Sequence, residues 1–292
     1  MKLALFGKSI RKEDYPYLLQ LIDKLETHEC ELMVYRPFLE KLRKTNDFNY
    51  KTTPFSNHDE LVGNADMMFS IGGDGTLLDT VSLVRDSGIP VLGVNLGRLG
   101  FLSSISRDDI IPAVEKVIQG DYTLDQRTLL HLETKEGLFG DVSFALNDLT
   151  VTRKNSMALI VIHVHVDGVF LNSYWADGLI VATPTGSTAY SLSSGGPIVS
   201  PGSENFVITP IAPHNLTIRP IVISDKSEIS IRVEGRDKKY LVSLDSKTDV
   251  IKTRDELYVR KANFKFNLVK IEHKDFYTTI RDKLKWGLDV RN

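Results

Sequence analysis

Hydrophobic positions in the first 120 or so residues fall into short apolar runs separated by amphipathic stretches. Residues 3–7, 31–35, 66–71 and 90–94 are runs of the length expected for buried strands. Between them, residues 15–28, 76–86 and 109–119 carry helical spacing. Leu77, Val81 and Val84 recur at i, i+4 and i+7, on one face of a predicted helix. Strand and helix in alternation predict an open, mostly parallel α/β sheet. The polar stretch 41–59 interrupts the pattern and reads as a surface loop.

From about Tyr122 the period changes. "LLHLET", "ALIVIHVHVDG", "GLIVAT", "PIVI", "EISIRVEG" and "DELYVRKANFKFNLVKI" are β-rich runs separated by Gly, Asn, Asp and Pro. Many short strands of this kind predict a sandwich or a related β architecture. A helical stretch at 185–194 interrupts it. The ending "KDFYTTIRDKLKWG" returns to helical spacing, with Phe276, Ile280 and Leu284 on one side. That terminal helix packs either on the β domain or back on the first domain.

Composition narrows the class. A chain of 292 residues favours two domains. With 42% hydrophobic residues, 25% charged residues and a net charge of −2, it has no bias toward nucleic acid or membrane. Cys30 is the sole cysteine, so no intrachain disulfide forms, and it reads as a small hydrophobe. No run approaches the ~20 apolar residues of a membrane span, and the start is too soon polar for a signal peptide. The expected location is the cytoplasm.

Chemistry concentrates in two stretches. In "FSIGGDGTLLDT", Gly72, Gly73 and Gly75 end an apolar run and open a helix at Thr76. A helix N-terminus offers backbone N–H groups and positive potential to an anion, and glycines admit it closely. The stretch lacks a Walker lysine and the dinucleotide fingerprint spacing, as does "GVNLGRLG". Asp74 sits in the middle, where it would repel phosphate by about 4 kcal/mol at 4 Å. The conflict resolves if Asp74 meets Mg²⁺ or takes a proton from an attacking hydroxyl; the structural reading is a helix cap.

The second stretch, "YWADGLIVATPTGSTAYSLSSGGPIVSPG", runs from a strand into Thr183, Thr185, Ser187 and Thr188, then Tyr190 and Ser193. Small hydroxyls and turn amides suit a sugar and a purine edge, and Tyr190 adds a stacking face. Asp177, with Asn147 and Asp148 of "LND", could accept from ribose hydroxyls. The alternatives are a hydroxyl-rich turn with a helix cap and an Asx turn. His163 and His165 share a strand face at i, i+2; with no third ligand in view they read as a strand pair.

"GGDGT" at 72–76, "NLGRLGFL" at 95–102, "ND" at 147–148 and "DGLIVATPTGSTAYSLSSGGP" at 177–197 occur together and in order. The chain thereby resembles the NAD kinases. "PIAPHNLTIRPIVI", "SLDS" and "RDKLKWG" extend the likeness over most of its length. "GGDGT" alone is shared with lipid kinases.

The resemblance implies an N-terminal open α/β (Rossmann-like) domain, residues 1–122 plus 272–292, and a C-terminal β-sandwich domain, residues 123–271. The last helix returns to the first domain. It implies transfer of the terminal phosphoryl of ATP, or of another donor such as polyphosphate, to the 2′-hydroxyl of the adenosine ribose of NAD. Mg²⁺ or another divalent cation comes with ATP, and no metal-binding residues are assigned. Asp74 matches the general base, and Gly73 and Gly75 the loop beside the phosphates. Phe101, Asn147, Asp148, Asp177, Thr185, Thr188, Ala189, Tyr190 and Ser193 match the NAD pocket. Asp177 is the residue expected from a neighbouring subunit of a homodimer or homotetramer. Asp245 of "SLDS" and Arg98 are further candidates; Ser246 departs from the Asp-Gly or Asp-His of many members. Lys8, Arg98 and Arg107 are candidates to neutralise donor phosphates or are solvated. The rival functions are a diacylglycerol- or sphingosine-type lipid kinase and a noncatalytic NADP-binding sensor.

Overall fold

The computed structural model describes residues 1–45, 48–97, 100–103, 105–154, 159–236, 238–253, 255–271 and 275–287. They form two compact units, Met1–Gln126 with Phe266–Asn292, and Arg127–Lys265. Among the described residues no helix is long and apolar enough to cross a membrane.

The first unit follows the alternation read from its sequence. Its elements are β1 (Lys2–Gly7), α1 (Tyr15–Thr27), β2 (Glu31–Tyr35), α2 (Arg36–Thr45), β3 (Thr52–Phe55), β4 (Met67–Ile71), α3 (Asp74–Val84), β5 (Val91–Val94) and α4 (Ile110–Gln119). The strands lie in the order β3-β2-β1-β4-β5, every neighbouring pair parallel. Every residue of β4 and β5 is buried, as a strand covered on both faces requires. Leu18, Leu21, Ile22 and Leu25 of α1 close one face against Leu3, Leu5 and Phe69. Strand order reverses at β1, whose neighbours are β2 on one side and β4 on the other. The connections leaving β1 and β4 part there, and a crevice opens at their carboxyl ends.

Residues 41–59 are not the uniform loop expected. They hold the end of α2 and all of β3. Phe38, Leu39, Leu42, Phe48 and Phe55 are buried, while Lys41, Arg43 and Lys44 on the outer face hid the apolar spacing. Pro37 is tolerated because it stands in the first turn, where its missing N–H has no partner to lose. A Cβ at Gly7 would lie 2.8 Å from the Phe38 ring, so α2 seats directly on the end of β1.

The second unit is built from most of β6 (Thr123–Glu133), β7 (Phe144–Ala145), β8 (Asp148–Arg153), β9 (Ile160–Val166), β10 (Val169–Ala176), β11 (Gly178–Ala182), α5 (Tyr190–Ser193), β12 (Asn205–Ile211), β13 (Ile221–Ser224), β14 (Ile229–Glu234), β15 (Lys239–Leu244), β16 (Lys247–Lys252) and part of β17 (Glu256–Lys270). One antiparallel sheet runs β13-β12-β11-β8-β15-β16. The other runs β10-β9-β14-β17, also antiparallel. Ile160, Ile162 and Val164 of β9, Leu149 and Val151 of β8, and Tyr240 and Val242 of β15 meet in the core. Their period of two is what a sandwich needs. β11 is buried on its other face as well, by Val199 and Val207 against Ile180 and Ala182.

Residues Phe266–Lys270 of β17 belong to the first unit, where Leu268 pairs in parallel with Val91. α6 (Phe276–Leu284) follows in the same unit. The Asp275 carboxylate caps it by accepting from the Thr278 amide at 2.8 Å. Of its expected stripe only Ile280 is buried.

Phe38→Ala tests whether α2 is part of the core. The expected loss is about 3–5 kcal/mol in denaturant unfolding, as for other buried aromatics. A loss below about 1 kcal/mol would mean that residues 36–45 do not pack as described.

Candidate active site

In the first unit the crevice is a cavity of about 410 Å³ walled by three connections, Ser9–Arg11 after β1, Gly72–Gly73 after β4 and Asn95–Gly97 after β5. α3 starts beside it with Gly73 as N-cap, so the first amides of the helix and its positive end belong to this wall. Of the three glycines, Gly72 alone has a positive φ, at +148°. A Cβ there would strike the Thr76 side chain. Gly73 has φ −79° and Gly75 lies within the first turn.

α3 begins two residues before the predicted start, at Asp74, and its acidic first turn suits the dipole. The Asp74 carboxylate does not cap its own helix. Oδ2 accepts from the Phe101 amide at 2.7 Å, and Oδ1 from the amides of Leu102 and Ser103 at 3.1 and 3.2 Å. A Cβ at Gly100 would overlap this carboxylate, so the chain reaches it only through glycine. Two residues matched to one pocket, Asp74 and the half-buried Phe101, are thus joined directly, through the Phe101 backbone rather than its ring. Arg98 lies outside the described residues. Lys8 is ion-paired with Asp79 of α3. Arg107 is committed to Asp14, the Leu96 carbonyl and the face of Tyr17.

In the second unit the segment Leu146–Asp148 is the hub. Asp245, at φ +51° in the two-residue turn between β15 and β16, accepts from the amides of Leu146, Asn147 and Asp148 at 2.8, 2.9 and 3.1 Å. Its own amide donates to the Asp148 carbonyl at 3.0 Å. The Asp245 side chain therefore has a defined structural task despite Ser246 beside it. From the other side, the Thr183 amide donates to the Asn147 carbonyl at 2.8 Å, and the Thr183 hydroxyl to the Leu146 carbonyl at 2.5 Å. A Cβ at Gly186 would overlap the Asn147 backbone. Asn147 is gripped between the two loops.

The helix predicted at 185–194 is two pieces, a 3₁₀ turn at Gly186–Thr188 and α5, broken at Ala189. Several of its hydroxyls are structural. Ser187 donates to the Pro184 carbonyl and accepts from the Val199 amide, at 2.7 and 3.0 Å, and Ser191 pairs with Thr209 at 2.9 Å. Thr188 bonds back to the Thr185 carbonyl at 3.1 Å. Tyr190 and Ser193 are exposed. Asp177, just before β11, is ion-paired with Arg153 at 2.8 Å. Sequence reasoning missed buried Arg127, which donates to Thr185 Oγ1 at 3.2 Å, and Arg11, Asp14 and Asn95 around the crevice. Only the position of Arg11 shortly after β1 signalled the last group. His163 is held by Ser173 and Glu234, and His165 lies edge-on to Phe170.

A glycine loop at the switch point of a parallel sheet, joined in one chain to a sandwich that presents a hydroxyl-rich loop, is the layout of a nucleotide-dependent phosphotransferase. Residues 3–122 match the model of the ATP-NAD kinase N-terminal domain and residues 146–271 that of the C-terminal domain. NAD kinases of Cytophaga hutchinsonii and Bacteroides fragilis are 45% and 40% identical, each over the full length of both chains. A yeast NADH kinase crystallised with NADH superposes with a TM-score of 0.87 at 29% identity, over 100% of this chain and 89% of its own. An Archaeoglobus fulgidus NAD kinase structure shares the fold with a TM-score of 0.78 at 24% identity, over 98% of this chain and 99% of its own. The chain belongs to the NAD kinase family.

The Asp148–Asp245 pair carries a pH signature. Burial pushes both carboxyls up, but three amides pull Asp245 back down. Asp148, 8% exposed, is raised by burial and by the neighbouring Asp245 charge to about 7. Unfolded, it titrates near its ordinary 3.8. Between those values the folded state holds a proton that the unfolded chain has released. This group's contribution is therefore complete below about 3.8 and lost as pH rises through about 7. Asp148→Asn cannot ionise. Against that variant, the native protein should lose up to about 4 kcal/mol of unfolding free energy between pH 4 and 8. Parallel stability curves for the two would show that Asp148 is ionised throughout.

Proposed function

We propose that this protein transfers the terminal phosphoryl group of ATP, or of polyphosphate, to the 2′-hydroxyl of the adenosine ribose of NAD, giving NADP. The observation that carries the proposal is the position of Asp74, a carboxylate fixed in the first turn of α3, next in the chain to the Gly72–Gly73 wall of the crevice. A carboxylate offers about four acceptor positions. Three are taken by the amides of Phe101, Leu102 and Ser103. Oδ2, with one amide, keeps the position that would take the hydroxyl proton. Such fixed geometry contributes to rate through alignment as well as basicity. The Gly73 and Gly75 region receives the donor phosphates.

Among the described residues no three His, Cys, Asp or Glu side chains gather as a cation site. The divalent ion belongs with the donor, held by its phosphates, whose charge it spreads. Phe101, Asn147, Asp148, Asp177, Thr185, Thr188, Ala189, Tyr190 and Ser193 hold NAD. The dinucleotide assignment is supported by the yeast relative crystallised with NADH, and ATP by the family model's own description. Asn147, locked between two loops, and Asp148, protonated up to about pH 7, together offer donors and acceptors suited to an adenine edge. The working form is a homodimer or homotetramer in the cytoplasm, with Asp177 supplied across the subunit interface.

Purified protein with Mg²⁺, ATP and NAD should yield NADP, read by an NADP-specific dehydrogenase, and no phosphorylated diacylglycerol when lipid is offered instead. Asp74→Asn should lower kcat by about 100-fold or more, the scale of a lost general base, with NAD affinity within about threefold of native. A near-normal kcat would remove Asp74 from the chemistry. Loss of NAD affinity and thermal stability with kcat preserved would make it a loop anchor only.

A further inference from the structure

Asp14 is a buried carboxylate, 4% exposed, in the connection between β1 and α1. No step proposed above uses it. Its Oδ2 accepts from Arg11 Nε at 2.8 Å, and its Oδ1 from Arg107 Nη2. A buried charge is costly unless its partners are well placed, and here two guanidinium groups share it. The two arginines differ. Arg107 also meets the Leu96 carbonyl, the Tyr17 ring, 5.3 Å from its centroid, and, more distantly, Glu13 at 3.8 Å. It ties the connection after β1 to the connection after β5. Arg11 stands on the rim of the 410 Å³ crevice with 61% of its side chain exposed. Its Nη2 lies 3.2 Å from where a Cβ on Gly97 would stand, facing the bare backbone of the opposite wall.

We propose that Arg11 is a ligand for the donor phosphate chain, and that Asp14 is the positioning residue that aims it. This rests on the reading of the crevice as the donor site. Arg11 is anchored through Nε, which leaves the Nη fork to meet two phosphate oxygens in the bidentate geometry that guanidinium groups favour. Its other present partner is Glu13, at 2.9 Å from Nη1. Both side chains of that pair are more than half exposed, so water screens the contact and a triphosphate can displace it. Glu13 is then a competitor for the fork, and its charge weakens donor binding. The ligand class is a chain of phosphates, with or without a nucleoside attached. Helix dipole and loop amides cradle one end and Arg11 the other.

The test is equilibrium binding of Mg-ATP and of tripolyphosphate by calorimetry, with KM for ATP and for NAD measured in parallel. Arg11→Ala should weaken both ligands by about tenfold or more, the scale of a lost charge-assisted contact. It should raise KM for ATP correspondingly and leave KM for NAD unchanged. Arg11→Lys should recover part of the loss. Asp14→Asn should weaken donor binding in the native background and add little in the Arg11→Ala background, because it acts through that side chain. Glu13→Gln should tighten donor binding.

Unchanged donor affinity in Arg11→Ala overturns the proposal, as does an equal rise in both KM values. If native protein binds tripolyphosphate through Arg11 yet makes no NADP, the phosphate site stands and the kinase reading falls. If NADP forms and Arg11→Ala is silent, the kinase reading stands and this inference falls.

Discussion

A carboxylate accepting three consecutive backbone N–H groups is the interaction on which the candidate loops of each unit depend, and it occurs twice. Asp74 holds Phe101–Ser103 in the first unit, and Asp245 holds Leu146–Asp148 in the second. Phe101–Ser103 is a loop, and Leu146–Asp148 is a bend that runs into the first residue of β8; buried unpaired amides in either cost about 1–3 kcal/mol each. One side chain satisfies three of them and fixes the path of the backbone. A glycine completes the fit both times. Gly100 lets the chain approach Asp74, and Gly186 lets the threonine-rich loop press on Asn147. Loops that must present polar groups to a ligand cannot be rigidified by an apolar core, so acidic side chains do that work from within.

This economy gives single residues two tasks. Asp74 braces a loop with three of its acceptor positions and, in the proposed chemistry, uses the fourth. Asp245 holds its three amides, and its charge adds to burial in raising the Asp148 carboxyl. Thr183, Ser187 and Ser191 show the complementary arrangement, in which buried hydroxyls tie the loop to Leu146, to its own Pro184 and to Thr209, while Tyr190 and Ser193 are exposed. The parallel sheet sets the stage. Its order reverses at β1, and the three connections that wall the crevice are those leaving β1, β4 and β5.

Much of the fold was legible because periodicity reports burial. β1, β2, β4 and β5 appear as apolar runs, and the sandwich strands as alternations, with ends shifted by a residue or two. α2 was not, because Phe38, Leu39 and Leu42 make a narrow apolar stripe in a field of Lys and Arg. β10, β12, β15 and β16 were unread because a polar edge or a neighbouring turn diluted their alternation. Motifs placed Asp74 and the threonine-rich loop but not their partners. That Asp74 meets amides 27 to 29 residues onward, or that Asp245 clamps a turn nearly a hundred residues earlier, depends on which strands become neighbours. Arg11 and Asp14 were unread for the same reason, with only the place of Arg11 soon after β1 as a hint. Their setting exists only once the β1 and β5 connections face one crevice.

Amide hydrogen exchange on the ligand-free protein tests the central claim most directly. If the two carboxylates hold their loops as described, Phe101, Leu102 and Ser103, like Leu146, Asn147 and Asp148, will exchange far more slowly than unprotected loop amides, although Phe101–Ser103 lies outside any helix or strand. Exchange of Phe101–Ser103 at the rate of a free loop, with the adjoining strands protected, would contradict the account.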